Sequence, residues 1–548
     1  MVLNDFFPLF KYILFICIAC RICGTCKPKE ITDLRGIRIH AHYMKLEMGD
    51  EEKKKLRYAV DIVSRKISSI LKVIPTEGPL LLKRKGGCFK QWTHGRNMNK
   101  CRFYDRKYPA IGELCSNEIE IPSEHLSELS VWGETKEEPL NVRYPAGEGL
   151  KDTDFVVYVQ AVSSSSCVED VSHLAHATYC YQDNRGRPVA GYINICPQKV
   201  SSLTIDRIKM VLLHELLHTL GFTKRLFEDF RQCSLKDELS GLCNNSDIRN
   251  NPVQTVNGVL RLLTPAVERE AIRHFNCQED KFGPALQEER GILSHWDSYQ
   301  MYGSIMTPSP GPPQLTFLDR MTLAVFEDSG WYGVNYSQAD DYQWGKGEGC
   351  KLSSSSNHMC IQGEYGCHFL HKDKAICKSP STKGGNSVFI PQPGLECSKG
   401  YNSTTSDFEI LSSQSRCFRS NLTAQNISME MTGQCYHHRC VNGMLNVKLK
   451  STGWMTCPYG KFIKVENLTG VILCPSRKDI ICPDHRSFNS LSTSTVLYDI
   501  KKTTELDFHS SASCLKRPYL LNLISIFCCF FLFCFVFFHF KVLVTFLC

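Results

Sequence analysis

The chain has 548 residues, 43% of them hydrophobic, a formal charge of +8 and 29 cysteines. That hydrophobic content excludes a largely disordered chain, and the length exceeds one ordinary domain, so two or three packed subdomains are expected. The charge is small for this length and leaves no nucleic-acid footprint, while so many cysteines exclude a reducing cytosol and fit disulfides in an exported protein.

Residues 1–24 read as a signal peptide: Lys11 precedes an apolar run from Tyr12 to Ala19 that is too short to span a bilayer. Leu34 to Tyr43 alternates, with Ile37, Ile39, Ala41 and Tyr43 against Arg38, His40 and His42, which predicts a half-buried strand. Leu56, Val60, Val63, Ile67, Ile70 and Leu71 predict a helix ending before Pro75. The basic groups Lys53 to Lys55 and Lys83 to Lys85 read as solvated faces. A loop-rich stretch with Cys88, Cys101 and Cys115 follows, and then strands at Phe155 to Val162 and Val189 to Ile195. Val189 to Asn194 is the candidate for an edge strand that holds an extended peptide by β-augmentation.

Ile205, Ile208, Val211, Leu212, Leu216 and Leu220 then recur at helical spacing, with Thr204 or Ser202 as cap. On this helix His214 and His218 are i and i+4, so both imidazoles leave one face where a single Zn²⁺ accepts their neutral nitrogens. Glu215 is rotated by about 100° from His214, which removes it from the ligand set but leaves it within reach of an attacking water as general base. Gly221 reads as a helix stop able to take the left-handed conformation.

A catalytic zinc site has three protein ligands. Position 224, where a close third histidine would fall, is Lys224. Glu238 stands at the spacing of a downstream glutamate ligand, but it lies in a Gly-containing stretch between Cys233 and Cys243 that reads as a disulfide-pinned loop. His274 and His295 are the remaining candidates, and beyond the second lies a turn-like Gly303-Ser-Ile-Met306-Thr-Pro308. Pro308 to Pro313 reads as a rigid wall. From Cys350 onward Cys, Gly and Ser dominate and periodicity is weak. Sequons at Asn244, Asn335, Asn402, Asn421, Asn426 and Asn467 fit an exported glycoprotein. Tyr519 to Phe538 is an uncharged apolar run behind the small residues Ser510 to Ser513, the pattern of a GPI-attachment signal, with a plain transmembrane helix as competitor.

His214-Glu-Leu-Leu-His218-Thr-Leu-Gly221-Phe222, followed after a long insertion by Ser294-His295-Trp296-Asp297 and the turn at Met306, resembles the leishmanolysin (invadolysin-like) metallopeptidases, a metzincin family. Arg187 to Cys196 and Leu318 to Tyr332 match as well, and the resemblance extends from about Ile37 to Cys482, thinning after Cys377. It implies an α+β fold: a metzincin-like catalytic core, mixed twisted sheet plus active-site helix, with a disulfide-rich, mostly β C-terminal domain. The corresponding division is 25–222 for the catalytic subdomain with the zinc helix, 223–340 for the insertion and central subdomain, 341–512 for the Cys-rich glycosylated domain and 513–548 for the GPI signal or transmembrane tail.

The resemblance further implies one Zn²⁺ held by His214, His218 and His295, Glu215 as general base, and protein or peptide substrates. The expected place is the secretory pathway and the outer face of the plasma membrane, attached by the C-terminal anchor, with links to adhesion or matrix degradation. A prosegment cysteine such as Cys26 is a candidate for holding the enzyme latent. Asp297 stands where the family usually has Glu, and Ser304 where an acidic residue is common, but neither removes a ligand or the base. A different class of reading is a catalytically silent adhesion or binding protein on the same fold.

Overall fold

The computed structural model describes residues 34–482 apart from short internal segments (85, 105–112, 117–118, 170–172, 241, 243–247, 290–291, 354–359, 381–385, 400–407, 425–428, 478–479 and 481). The signal peptide, Cys26, Cys243, the sequons at Asn244, Asn402 and Asn426 and the apolar tail all lie outside the described residues. Among the described residues no helix is long and apolar enough to cross a membrane.

The N-terminal half opens with strand β1 (Ile39–Leu46) and helix α1 (Asp50–Ile70). Acidic Asp50, Glu51 and Glu52 fill the first turn of α1, where the helix dipole favours them. Its buried stripe of Leu56, Ala59, Val60, Val63, Ile67 and Ile70 is the periodicity expected from sequence. A small four-stranded sheet follows, made of β2 (Cys88–Gln91), β3 (Cys101–Tyr104), β4 (Leu129–Trp132) and β5 (Pro139–Tyr144). Strands β6 (Phe155–Ala161), β7 (Ala175–Gln182) and β8 (Pro188–Ile195) complete the central sheet.

That central sheet runs β7-β8-β6-β1, with β8, β6 and β1 parallel and β7 antiparallel to β8. One face carries Phe155, Val157, Val159, Ile193 and Ile195 into a core shared with α1 and with helix α2 (Ile205–Leu220). The other face carries Val156, Tyr158, Ala190 and Tyr192 onto Leu80, Leu82 and Leu126.

Coverage on both faces explains a correction. Val189 to Asn194 is an interior strand, because β8 lies between β7 and β6, and every one of its residues is buried. Its unbroken apolar run is the mark of a strand covered on both sides. Among the described residues β7 pairs only with β8, so Ala175–Gln182 is an edge strand, as β1 is at the other side of the sheet.

Helix α2 packs tightly on β8 at Gly191, where an added Cβ would lie 2.8 Å from the Thr219 side chain. Leu212, Leu216, Leu217 and Leu220 are buried beneath it, each contributing about 1.5–3 kcal/mol relative to exposure. The helix is capped by Thr204, whose side chain accepts from Arg207 N–H at 3.3 Å. Its end differs from expectation. Gly221 has φ 169°, an extended value rather than a left-handed one. Glycine suits the space there: a Cβ would meet the Phe326 ring at 3.2 Å, closer than ordinary contact.

Downstream come helix α3 (Pro265–Phe275), the hairpin β9 (Leu286–Glu289) and β10 (Ile292–Trp296), and helix α4 (Arg320–Asp328). All of them contribute to the same core as α2. The remainder is β-rich: a three-stranded sheet spanning Tyr365–Pro391 and a six-stranded sheet around Ser415–Ser420 and Thr432–Val441. A separate core of Phe418, Leu422, Tyr436, Leu445 and Val447 lies within the larger sheet. The fold is thus mixed helix and sheet.

Disulfides hold much of it. Cys360–Cys377, Cys367–Cys417, Cys397–Cys435, Cys440–Cys482 and Cys457–Cys474 staple the β-rich part. Cys88–Cys101, Cys115–Cys180, Cys167–Cys196 and Cys277–Cys350 brace the rest. Cys115–Cys180 fastens the edge strand, and Cys167–Cys196 pins the segment that leads into α2.

Candidate metal centre

Helix α2 presents His214 and His218 one turn apart, as their spacing requires, and β10 brings His295 to the same point. The Nε2 atoms are 3.0 Å apart between His214 and His218, 3.2 Å between His218 and His295, and 3.3 Å between His295 and His214. A tetrahedral ion about 2.0–2.1 Å from each nitrogen needs ligand separations of about 3.3–3.4 Å, so the triangle is close to the size one zinc ion requires.

Backbone carbonyls fix how two of the rings point. Nδ1–H of His214 donates to the Ile305 carbonyl at 2.6 Å, and Nδ1–H of His218 donates to the Phe222 carbonyl at 2.8 Å. With those protons turned outward, both Nε2 lone pairs face the centre of the triangle. Nδ1 of His295 is buried and has no hydrogen-bond partner among the described residues. Lone pairs converging at this range repel one another unless a cation accepts them. Burial holds the rings neutral: it lowers His214 to about 4, lowers His218 to about 3 with help from the neighbouring His214, and puts His295 well below the ordinary range. Neutral imidazoles are the form that binds metal. The residues fit a zinc ion.

Glu215 is buried beside this triangle, and burial alone pushes its carboxyl up to about 8. A dication within a few ångströms acts in the opposite direction and favours the carboxylate. The two other candidates for the third ligand lie elsewhere. Glu238 sits on a short helix (Leu235–Leu239) and pairs with Arg185. His274 donates through Nε2–H to the Trp344 carbonyl, 2.7 Å away, and stacks on Tyr342. Of the three, only His295 joins His214 and His218.

Met306 is fully buried, and its turn supplies both neighbouring supports. The carbonyl of Ile305 orients His214, and the carbonyl of Met306 accepts from Trp296 N–H, next to His295, at 2.9 Å. Two hydroxyl relays then converge on one carboxylate. Trp296 Nε1–H donates to Thr322 Oγ1 at 2.9 Å, and that hydroxyl donates to Asp319 Oδ2 at 2.7 Å. Met306 N–H donates to Ser304 Oγ at 3.3 Å, and that hydroxyl donates to the same Asp319 oxygen at 2.6 Å. Asp319 is fully buried and also caps α4, its Oδ1 accepting from Thr322 N–H at 2.8 Å.

Local sequence does not reveal these supports. The pattern Asp319-x-x-Thr322 ahead of an apolar helical run is a legible cap signal, but its link to Ser304 across the fold is not local. Ser304, one departure from the family pattern, carries no charge of its own and donates its hydroxyl to Asp319, whose carboxyl burial pushes up from the ordinary range. Asp297, the other departure, accepts from the N–H groups of Tyr299 and Gln300 at 3.1 and 2.7 Å and so closes the turn after the third histidine. The rings of Tyr299 and Tyr302 pack against Trp344.

A buried HExxH helix whose two imidazoles meet a third from a distant strand, with a glutamate alongside, defines a metallopeptidase type of site. The leishmanolysin family profile matches residues 143–385 and 391–487, and the chain belongs to the leishmanolysin family. It is 37% identical over 444 residues to a ciliated left-right organizer metallopeptidase of Xenopus laevis, covering 77% of this chain and 60% of that protein. The Mus musculus protein of the same description is 36% identical over 480 residues, covering 80% of this chain and 68% of its own length. A leishmanolysin-like peptidase of Caenorhabditis elegans is 31% identical over 318 residues, which are 52% of this chain and 46% of that protein.

Proposed function

We propose that the chain is a zinc-dependent metalloendopeptidase of the secretory pathway, held at the outer cell surface by its C-terminal segment and acting on proteins or peptides. The observation that carries this reading is the triangle of Nε2 atoms at 3.0–3.3 Å with two Nδ1 protons turned outward onto carbonyls. His214, His218 and His295 hold the ion. Zinc bound there supplies Lewis acidity that activates water near neutral pH and polarises the scissile carbonyl.

Glu215 takes a proton from the attacking water and returns it to the leaving amine nitrogen. Strand β7, paired on one side only among the described residues, offers backbone donors and acceptors to an extended substrate. The disulfides and the sequons support an oxidising, exported setting.

The test is gelatin cleavage by purified, zinc-loaded protein beside its Glu215→Ala variant. Cleavage lost in the variant, and lost in the unmutated protein with a chelator, supports the reading. A folded, zinc-replete but inert protein overturns it and favours the silent binding protein.

A further inference from the structure

The small sheet β2-β3-β4-β5 takes its first two strands from the end of a strongly basic stretch, although acidic residues follow it in the chain. Gly78 to Tyr104 contains seven Lys and Arg and no Asp or Glu, and of these Arg96 is paired with Glu137 from the loop before β5. On the sheet these cations are interleaved with aromatic rings. The Lys100 ammonium lies 3.3 Å from the Trp132 ring centroid, and the Arg102 guanidinium 4.4 Å from that of Trp92. Arg143 lies 5.2 Å from the Tyr104 ring and Arg84 5.4 Å from that of Tyr144. The expectation of a merely solvated face around Lys83 to Lys85 is therefore incomplete: Arg84 rests on an aromatic ring and donates to the Ser127 carbonyl at 2.8 Å.

The manner of anchoring matters. A cation held by a carboxylate is neutralised, whereas one held over a ring keeps its charge and its outward N–H donors. Lys90, Lys100, Arg102 and Arg143 have no carboxylate partner among the described residues, and Lys90, Arg102 and Arg143 are exposed. Restrained by their rings, Lys100, Arg102 and Arg143 lose less conformational entropy on meeting an anion. Neighbouring strands about 4.8 Å apart set them out in rows, which suits a linear polymer of repeating anions better than a single small ion. No sequon falls in this sheet, so no attached glycan is expected to cover it.

We propose that this sheet is a docking surface for a sulfated polysaccharide. Sulfate takes the forked donors of arginine as phosphate does, and release of condensed counterions drives the association. Lipid is the weaker match. Phe89 and Phe103 are 59% and 54% exposed, but anionic lipid is concentrated on the cytoplasmic leaflet, and a disulfide-bonded chain faces the other side.

The full-length protein is titrated with heparin across a salt series, beside a Lys100→Gln/Arg102→Gln/Arg143→Gln variant. A control removes equal charge from α1 (Lys53→Gln/Lys54→Gln/Arg65→Gln), and a Glu134→Gln/Glu138→Gln variant adds net positive charge beside β4 and β5. Expected results are at least about tenfold weaker heparin binding for the sheet variant, with a salt slope lower by roughly two to three. The acid-to-amide variant binds tighter, and the control stays within about twofold. Because the triple variant removes ring-stacked groups, the acid-to-amide variant serves as the measurement that does not depend on its folding. Equal weakening in the control overturns the proposal, as does an unchanged acid-to-amide variant. So does tighter binding to phosphatidylserine vesicles or to duplex DNA than to heparin.

Discussion

Replacing Asp319 by Ala should loosen the metal centre although Asp319 touches none of the three histidines. The carboxylate accepts from Ser304 Oγ at 2.6 Å, from Thr322 Oγ1 at 2.7 Å and from Thr322 N–H at 2.8 Å, in a place no water reaches from bulk. Alanine leaves those three donors buried without an acceptor, each worth about 1–3 kcal/mol. Because they share one neighbourhood the costs do not simply add, and a total of about 3–5 kcal/mol is expected. Asparagine keeps one oxygen but turns an amide toward a donor, so about 1–2 kcal/mol is expected for it. Both relays end at the metal site, one at Trp296 beside His295 and one at the turn whose Ile305 carbonyl orients His214. Supporting groups of this kind change metal affinity by about 10–100-fold. The assay is zinc competition against a chromogenic chelator, paired with thermal unfolding of the metal-free protein. Asp319→Ala should lose zinc affinity in that range and melt at least about 5 °C lower, with Asp319→Asn intermediate. Unmutated zinc affinity in a destabilised Asp319→Ala protein would show that the relays hold only the fold and refute the reasoning.

Glu215→Gln should lower peptide hydrolysis by about 10²–10⁴-fold while zinc content, measured by atomic absorption, stays at one ion per chain. His295→Ala should release zinc to a weak chelator, whereas His274→Ala and Glu238→Ala should retain it, since neither reaches the triangle. Gly221→Ala places a methyl 3.2 Å from Phe326 and should cost about 1–3 kcal/mol in denaturant unfolding, with part of the loss recovered by Phe326→Leu. His125 gives a pH signature. Burial, then the charge of His42, lowers it to about 4, and its Nδ1 is 2.9 Å from the Tyr158 hydroxyl. The unfolded chain, with the ordinary value of about 6.5, binds the proton first as pH falls. This contribution is therefore present above pH 6.5 and lost progressively down to about pH 4, by about 3 kcal/mol in all. His125→Asn should flatten that part of the stability-versus-pH curve, and an unchanged slope would exclude His125 as its source.

The parts of this fold that sequence made legible are those whose determinants lie within one element. His214 and His218 share a face because four residues make one turn, and the α1 stripe from Leu56 to Ile70 is readable for the same reason. His295 is 77 residues from His218, and although Glu238 is disfavoured by its cysteine-flanked stretch, only the family resemblance sets His295 apart from His274. The edge strand shows the limit of local reading. Hydrophobicity reports burial rather than position in a sheet, so β8, apolar on both faces, drew attention away from Ala175–Gln182, whose His, Thr, Tyr and Gln residues suit a strand half open to solvent. The same reasoning applies to the small basic sheet. Lys83 to Lys85 looks like a solvated charge run when read along the chain, because Tyr144, the ring under Arg84, lies far away in sequence. Charge runs can be judged from sequence only for their sign. Whether they are neutralised by carboxylates or displayed on rings depends on strand pairing, and here that pairing leaves the cations of β2, β3 and β5 facing outward with their charge intact.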